Sequence, residues 1–269
     1  MELPGPFWLI GCGNMAGAML RGWLDAGMDP AQVTVIRPSG KPVAEGVRVL
    51  THLPLDERPV VGMLGVKPQK LDDVAPDLAP ALEGSALLIS ILAGVEQASL
   101  RARFSGPRTI VRTMPNTPAA LRKGATSLHA EGGAGQDRAL AERLMAALGQ
   151  VEWIEDEGLF DVVAALTASG PAFVFRFIDA LAAGAAALGL PGDQARRLAL
   201  ATVEGAAALA SNSDETPRQL AERVASPGGM TRKGLDVLDS DENLDQLVHA
   251  TLEAAVRRSR EMGEEARKD

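Results

Sequence analysis

Short apolar runs separated by amphipathic stretches organise the first half of the chain. Phe7–Ile10 is apolar throughout and ends in Gly11; residues 14–26 then place Met15, Met19, Leu20, Trp23 and Leu24 at spacings of three and four. That spacing gives one apolar helical face, so the unit reads strand, tight turn, helix. Val33–Ile36 predicts a second strand and residues 47–50 a third, with 60–66, 86–92 and 109–111 continuing the series. Helical patterns over 71–82 and 95–104 fill the gaps. Near-continuous apolar strands between amphipathic helices signal a parallel sheet covered on both faces. Residues 124–129 and 151–154 flank a helical pattern at 137–148 and are candidates to extend that sheet.

Beyond about residue 156 the strand-like runs stop and Ala-rich helical periodicity takes over. Phe173, Phe177, Leu181, Ala185 and Leu188 form a stripe on a helix expected to stop near Gly189-Leu190-Pro191. A second helix is expected over about 194–210. A third is expected over about 242–262, with Leu244, Leu247, Val248, Thr251 and Ala255 on one face. An all-helical domain over 156–269 follows an α/β domain over 1–155. A helical domain of this size has limited core of its own, so its apolar excess predicts completion by another subunit.

Composition narrows the chemistry. Only 3% of the 269 residues are aromatic and none is Tyr, which excludes dehydrogenases built on a Tyr–Lys pair and disfavours stacking platforms for nucleic acid. A net charge of −8 supplies no global field for DNA or an anionic membrane. One cysteine and three separated histidines make a metal site unexpected. The N-terminal stretch has no basic segment and no long apolar core, and no run approaches 18 uninterrupted apolar residues. Neither a signal peptide nor a membrane span is expected, and the cytoplasm is the expected compartment.

Gly11-Cys12-Gly13-Asn14-Met15-Ala16 has the spacing G-x-G-x-x-A between the first strand and the first helix. The first Gly permits the tight turn and the second lets a pyrophosphate approach the backbone. The small third residue lets helix pack on strand. The first domain is therefore expected to be a Rossmann-type, mostly parallel sheet. Dinucleotide binders that prefer NAD usually place a carboxylate at the end of the second strand, but here the residues are Arg37-Pro38-Ser39-Gly40-Lys41. Arg37, Ser39 and Lys41 could surround a 2′-phosphate, which favours NADP, with NADH possible. Lys67-Pro68-Gln69 and Met114-Pro115-Asn116-Thr117-Pro118 follow later strands at the edge where ligands of such sheets bind, and are candidates to line the cofactor.

Two segments stand out in the helical half. Residues 165–173 put small polar residues and a Gly-Pro step at a helix junction. Ser226-Pro227-Gly228-Gly229-Met230-Thr231 is a Pro-Gly-Gly turn before a helix expected to start near Thr231. Its glycines free backbone N–H groups to converge on an anion beside two hydroxyls, which suits a substrate carboxylate.

Taken in order, these motifs resemble those of Δ1-pyrroline-5-carboxylate reductases over essentially the whole chain. The resemblance implies a Rossmann-type domain, a helical domain that joins two subunits, and dimers often assembled into larger rings. It also implies reduction of pyrroline-5-carboxylate to L-proline by NADPH or NADH, with neither nucleic acid nor membrane as partner. By resemblance, Ser226 and the Gly228-Gly229 backbone hold the substrate carboxylate, and Thr231 hydrogen-bonds the ring nitrogen. Asn116 and Lys67 line the cofactor, while Asn14 and Met15 lie near its phosphates and nicotinamide. Two positions depart from the family pattern: Met230 stands where Ala or Thr is more frequent and could trim the pocket, and Thr216 precedes Pro217 where His is common. No metal is implied.

Two other readings compete. β-Hydroxyacid dehydrogenases share the domain order but use a lysine in the second domain as base, and this chain has no lysine between Lys123 and Lys233. The other is a redox sensor that binds NADP without turnover: the Ser226–Thr231 turn argues for a substrate, yet binding alone would preserve it.

Overall fold

The computed structural model describes residues 2–268, excepting the side chains of residues 242, 262 and 265–268. Eight strands form one sheet: β1 (Phe7–Ile10), β2 (Val33–Ile36), β3 (Arg48–Leu50), β4 (Val61–Leu64), β5 (Leu87–Ser90), β6 (Thr109–Met114), β7 (Gly124–His129) and β8 (Gly149–Trp153). Their order is β3-β2-β1-β4-β5-β6-β7-β8. The first six run parallel, β7 pairs antiparallel to β6 with Arg112 opposite His129, and β8 runs parallel to β7. Strand order reverses between β1 and β4, which creates a crevice at their carboxyl ends. β1, β2, β4 and β5 are buried at every position, as their near-continuous apolar sequences require.

The helices α1 (Asn14–Asp25), α2 (Leu71–Ala81), α3 (Gln97–Arg103) and α4 (Gly135–Ala146) cover the sheet. On one face, Met19, Leu20 and Trp23 of α1 and Leu140, Leu144 and Met145 of α4 pack with Phe7, Leu9, Val33 and Val35. On the other, Leu71, Ala75 and Leu78 of α2 and Leu100 of α3 pack with Trp8, Ile10, Leu64 and Leu88. Alternate residues of β1 thus feed two cores, following the two-residue period of a strand. Strand β4 stops at Leu64, short of the expected 60–66, and the chain turns at Gly65. The expected helices at 95–104 and 137–148 begin and end within about two residues of α3 and α4.

After β8 come α5 (Phe160–Val163) and a π-helical turn, Ala164–Ala168, in which Ser169 N–H donates to the Ala164 carbonyl at 3.1 Å. The junction expected at 165–173 is thus one helical segment whose winding changes. The remaining helices are α6 (Gly170–Ala187), α7 (Gly192–Ser211), α8 (Pro217–Arg223), α9 (Met230–Asp239) and α10 (Asn243–Lys268). Helix α8 was not evident from apolar periodicity. Thr216 caps it, its hydroxyl accepting from Gln219 N–H while the Gln219 side chain accepts from Thr216 N–H. Thr216 therefore has a local structural task.

The fold divides into two compact units, one comprising residues up to Ser169 and those from Ala255 onward, the other Gly170–Ala254. The first unit thus reaches past the sequence-based division at 155/156 because α5 and the π-turn fold back on the sheet. In the second unit the buried apolar cluster is small, formed by Ala182, Ala195 and Ala199 with Ile178, Ala185 and Leu190 against them. Phe175, Phe177, Leu181, Leu188, Leu198 and Leu209 remain exposed in the single chain. The helical run Glu157–Ala187 is long and apolar enough to cross a membrane by length and composition alone, and it contains no 18-residue uninterrupted apolar run.

Candidate active site

The turn after β1 is built for close backbone approach. Gly11 has φ +81°, a conformation that L side chains rarely adopt, and a Cβ there would lie 2.9 Å from the carbonyl carbon and oxygen of Gly65. Gly65 is equally confined, since its Cβ would meet Ala16 Cβ at 2.9 Å. Only a small residue at position 16 lets α1 pack against the end of β4. At Gly13, by contrast, a Cβ would meet nothing within 4 Å among the described residues. Gly13 is the N-cap of α1, no side chain caps that helix, and its first turn contains no acidic residue. The first N–H groups of the helix thus face open space with their positive dipole end.

Basic groups border this turn. Burial pushes the Cys12 thiol up, while the nearby Arg37 and Arg21 guanidinium charges pull it down. A Cβ on Gly17 would lie 3.8 Å from both Arg21 Nη1 and Cys12 Sγ. Arg37 follows β2, its N–H donating to the Leu50 carbonyl at 2.9 Å and its carbonyl accepting from Gly40 N–H at 3.1 Å. Ser39 and Lys41 are exposed on the same turn, with Lys41 N–H 3.4 Å from Ser39 Oγ. The sequence signal for Arg21 is only a basic residue in the second turn of the helix that follows the glycines. An open glycine, an uncapped helix start and a carboxylate-free basic strand end fit a dinucleotide carrying a 2′-phosphate.

Across the crevice, exposed Lys67 precedes a single 3-10 turn, Pro68–Lys70, closed by Lys70 N–H donating to the Lys67 carbonyl at 2.9 Å. Asn116 follows β6 and is buried. Its Nδ2 donates to the Thr167 carbonyl at 3.0 Å and its Oδ1 accepts from Ala125 N–H at 2.9 Å. The amide thus ties the loop after β6 to the start of β7 and to the π-turn, a structural duty that spacing did not reveal. Asn14 is exposed and Met15 partly buried at the helix start.

In the second unit, Ser226-Pro227-Gly228-Gly229 forms a turn in which Gly229 N–H donates to the Ser226 carbonyl at 2.9 Å and Gly228 has φ +73°. Proline at the second position and glycine at the third are what a type II turn requires. Gly229 is then the N-cap of α9, again without a side-chain cap. The expectation that both glycine N–H groups face an anion needs amendment, because that of Gly229 is spent inside the turn. The groups left are those of Gly228 and the first turn of α9, beside the partly buried Thr231. Met230 is 92% exposed in the single chain. Arg232 is held by Glu222, Asp236 and Asp239, which anchors α9 to α8 and raises the guanidinium above its ordinary value through the Glu222 and Asp236 hydrogen bonds.

A nucleotide-dependent oxidoreductase is the class these features define. Residues 7–94 match the family described as NADP oxidoreductase, coenzyme F420-dependent. Residues 157–262 match the family described as pyrroline-5-carboxylate reductase dimerisation. A pyrroline-5-carboxylate reductase from Pseudomonas aeruginosa is 37% identical over 95% of this chain and 96% of its own length, and one from Pisum sativum 36% identical over 94% of each. Among solved structures, the pyrroline-5-carboxylate reductase from Coxiella burnetii is 34% identical, covering 96% of this chain and 98% of that one, with a TM-score of 0.88. The Plasmodium falciparum pyrroline carboxylate reductase, solved with NADP bound, is 26% identical with a TM-score of 0.82, covering 97% of this chain and 98% of that one. The chain belongs to the pyrroline-5-carboxylate reductase family, with an NADP-binding oxidoreductase domain and a dimerisation domain.

Proposed function

We propose that the chain reduces the cyclic imine of 1-pyrroline-5-carboxylate to L-proline, the last step of proline biosynthesis, and prefers NADPH to NADH. The observation that carries the substrate half of this reading is the Ser226–Thr231 turn, an uncapped helix start behind a Pro-Gly-Gly corner with two hydroxyls beside it. The functional division runs at 155/156, with the nucleotide domain before it and the substrate and dimerisation domain after it.

Bound at the glycine turn, the reduced nicotinamide supplies the hydride. The remaining work falls to this chain. Gly11, Gly13 and Ala16 keep the turn low enough for the helix N–H groups to hold the pyrophosphate, with Asn14 and Met15 beside it. Arg37, with Ser39 and Lys41, holds the 2′-phosphate, and Lys67 and Pro68 line the opposite side. Asn116 is a positioning residue that fixes the loop after β6. Ser226 and the N–H groups of Gly228 and the first turn of α9 hold the substrate carboxylate, and Gly229 and Met230 shape that corner. Thr231 hydrogen-bonds the ring nitrogen. A C=N bond protonated to an iminium is already electrophilic, so the protein contributes mainly orientation, and a hydroxyl at Thr231 suffices where a strong acid is not needed.

The exposed apolar faces of α6 and α7 support a shared helical interface, and rings of dimers extend the same reading. The enzyme works in the cytoplasm. Purified protein mixed with pyrroline-5-carboxylate and NADPH should consume the nicotinamide absorbance. If neither NADPH nor NADH is consumed while NADPH still binds, the chain is a sensor and the enzymatic reading fails. Light scattering should give a multiple of the single-chain mass, and a monomer would remove the shared interface.

A further inference from the structure

We propose that His129, Glu131 and Glu157 form a binding site for a divalent transition-metal ion of the Zn²⁺ or Mn²⁺ kind. A ring nitrogen of His129 and a carboxylate oxygen of each glutamate lie within 4.8 Å of one another. His129 ends β7 and is 5% exposed. Its Nδ1 lies 2.8 Å from the Ile154 carbonyl, an acceptor, so Nδ1 carries the proton and Nε2 keeps its lone pair. That Nε2 is buried and has no hydrogen-bond partner among the described residues. A histidine fixed by a backbone carbonyl on one nitrogen and vacant on the other has the arrangement of a metal ligand with its outer support in place.

Glu157 is supported in the same way. Its Oε1 accepts from Gln97 N–H at 2.7 Å and from Arg112 Nη1 at 2.8 Å, while Oε2 makes no such bond among the described residues. Arg112 is itself held 4.6 Å over the Phe160 ring. Glu131 is exposed, and among the described residues neither it nor His129 belongs to an ion pair. Glu157 is paired with Arg112 at 2.8 Å, so Glu131 is the carboxylate left without a countercharge. Of the three, Glu157 lines a cavity of about 470 Å³ together with Arg112. Ligands about 2.0–2.2 Å from an ion sit roughly 3–3.5 Å apart, so closure needs movement on the order of 1 Å, which the exposed Glu131 side chain can supply. One imidazole and two carboxylates favour Zn²⁺ or Mn²⁺ over the all-oxygen preference of Ca²⁺.

The test uses the full chain, stripped with a chelator and titrated with Zn²⁺, then with Co²⁺ as a coloured probe. Metal content, the Co²⁺ absorption and the thermal midpoint are read for the parent and for E131Q and H129Q. E131Q changes only an exposed side chain and is expected to fold normally. The parent should bind one ion per chain, with a midpoint that rises on adding Zn²⁺. E131Q should bind at least about tenfold more weakly with a smaller rise, and H129Q should lose the Co²⁺ signal. Reductase activity without added metal should be the same in the parent and E131Q. Equal Zn²⁺ affinity and equal midpoint shifts in the parent and E131Q would overturn the proposal, as would a folded parent that binds no ion.

Discussion

Replacing Gly11 or Gly13 by alanine adds the same methyl group two residues apart, yet the structure predicts opposite consequences. At Gly11 the backbone has φ +81°, which costs an alanine about 1–2 kcal/mol. The new Cβ would also lie 2.9 Å from the Gly65 carbonyl, main-chain atoms that cannot swing aside, and overpacking of that kind costs about 1–3 kcal/mol. Together G11A should destabilise by about 2–5 kcal/mol, a fall of roughly 4–20 °C at about 2–4 °C per kcal/mol. At Gly13 φ is −83° and nothing among the described residues lies within 4 Å, so G13A loses only the modest N-cap preference for glycine, under about 1 kcal/mol. Its methyl group instead enters the space through which a pyrophosphate approaches, and NADPH should bind at least about tenfold more weakly. Thermal unfolding without nucleotide and fluorescence titration with NADPH read the two effects separately. A G13A protein that binds NADPH like the parent, or that melts as early as G11A, would refute the account of this turn.

Three further substitutions test other parts of the molecule. T231A should lower turnover far more than it weakens NADPH binding, and an unchanged rate would remove Thr231 from the mechanism. R37D should shift preference toward NADH by placing a carboxylate beside the 2′ position; equal discrimination in mutant and parent would show that the end of β2 does not read the nucleotide. The third concerns Asp137, which is buried and held below the ordinary carboxylate range by the Arg108 hydrogen bonds first and by Thr109, against the opposing effect of burial. A lowered folded value means that its stabilisation is complete above the ordinary value of 3.8 and disappears as pH falls through the folded value. D137N should therefore cost about 1–2 kcal/mol at neutral pH, toward the low end because Arg108 is half-exposed, with a gap that closes on acidification. Urea melts of both proteins at several pH values measure this, and a gap independent of pH would contradict it.

Buried parallel strands announce themselves, which is why Phe7–Ile10 and Val33–Ile36 can be read residue for residue from the sequence. The reversal of β7 leaves no mark on apolar content and emerges only from pairing. Helix α8 escapes periodicity because it has seven residues, although the Thr216-to-Gln219 spacing carries its capping signal. The glycine turn and the Ser226–Thr231 corner are local, so sequence displays them. The partners of Asn116, and the meeting of Arg112, His129 and Glu157, depend on segments up to 51 residues apart that only the folded sheet brings together.

The segment from Glu157 to Thr167 has a consequence of its own. It passes Arg112 midway along β6, where Phe160 packs, and reaches Asn116 beyond the end of that strand. Ten residues of helix rise about 15 Å, close to the length of a five-residue strand, so the segment works as a ruler laid along the sheet. A ruler fixes phase as well as distance. One inserted or deleted residue turns everything beyond it by about 100° and carries the Thr167 carbonyl off Asn116. The wider π-turn at Ala164–Ala168 takes one more residue per hydrogen-bonded ring than an α-helix, and so sets that phase. Its length is therefore as constrained as the buried side chain of Phe160.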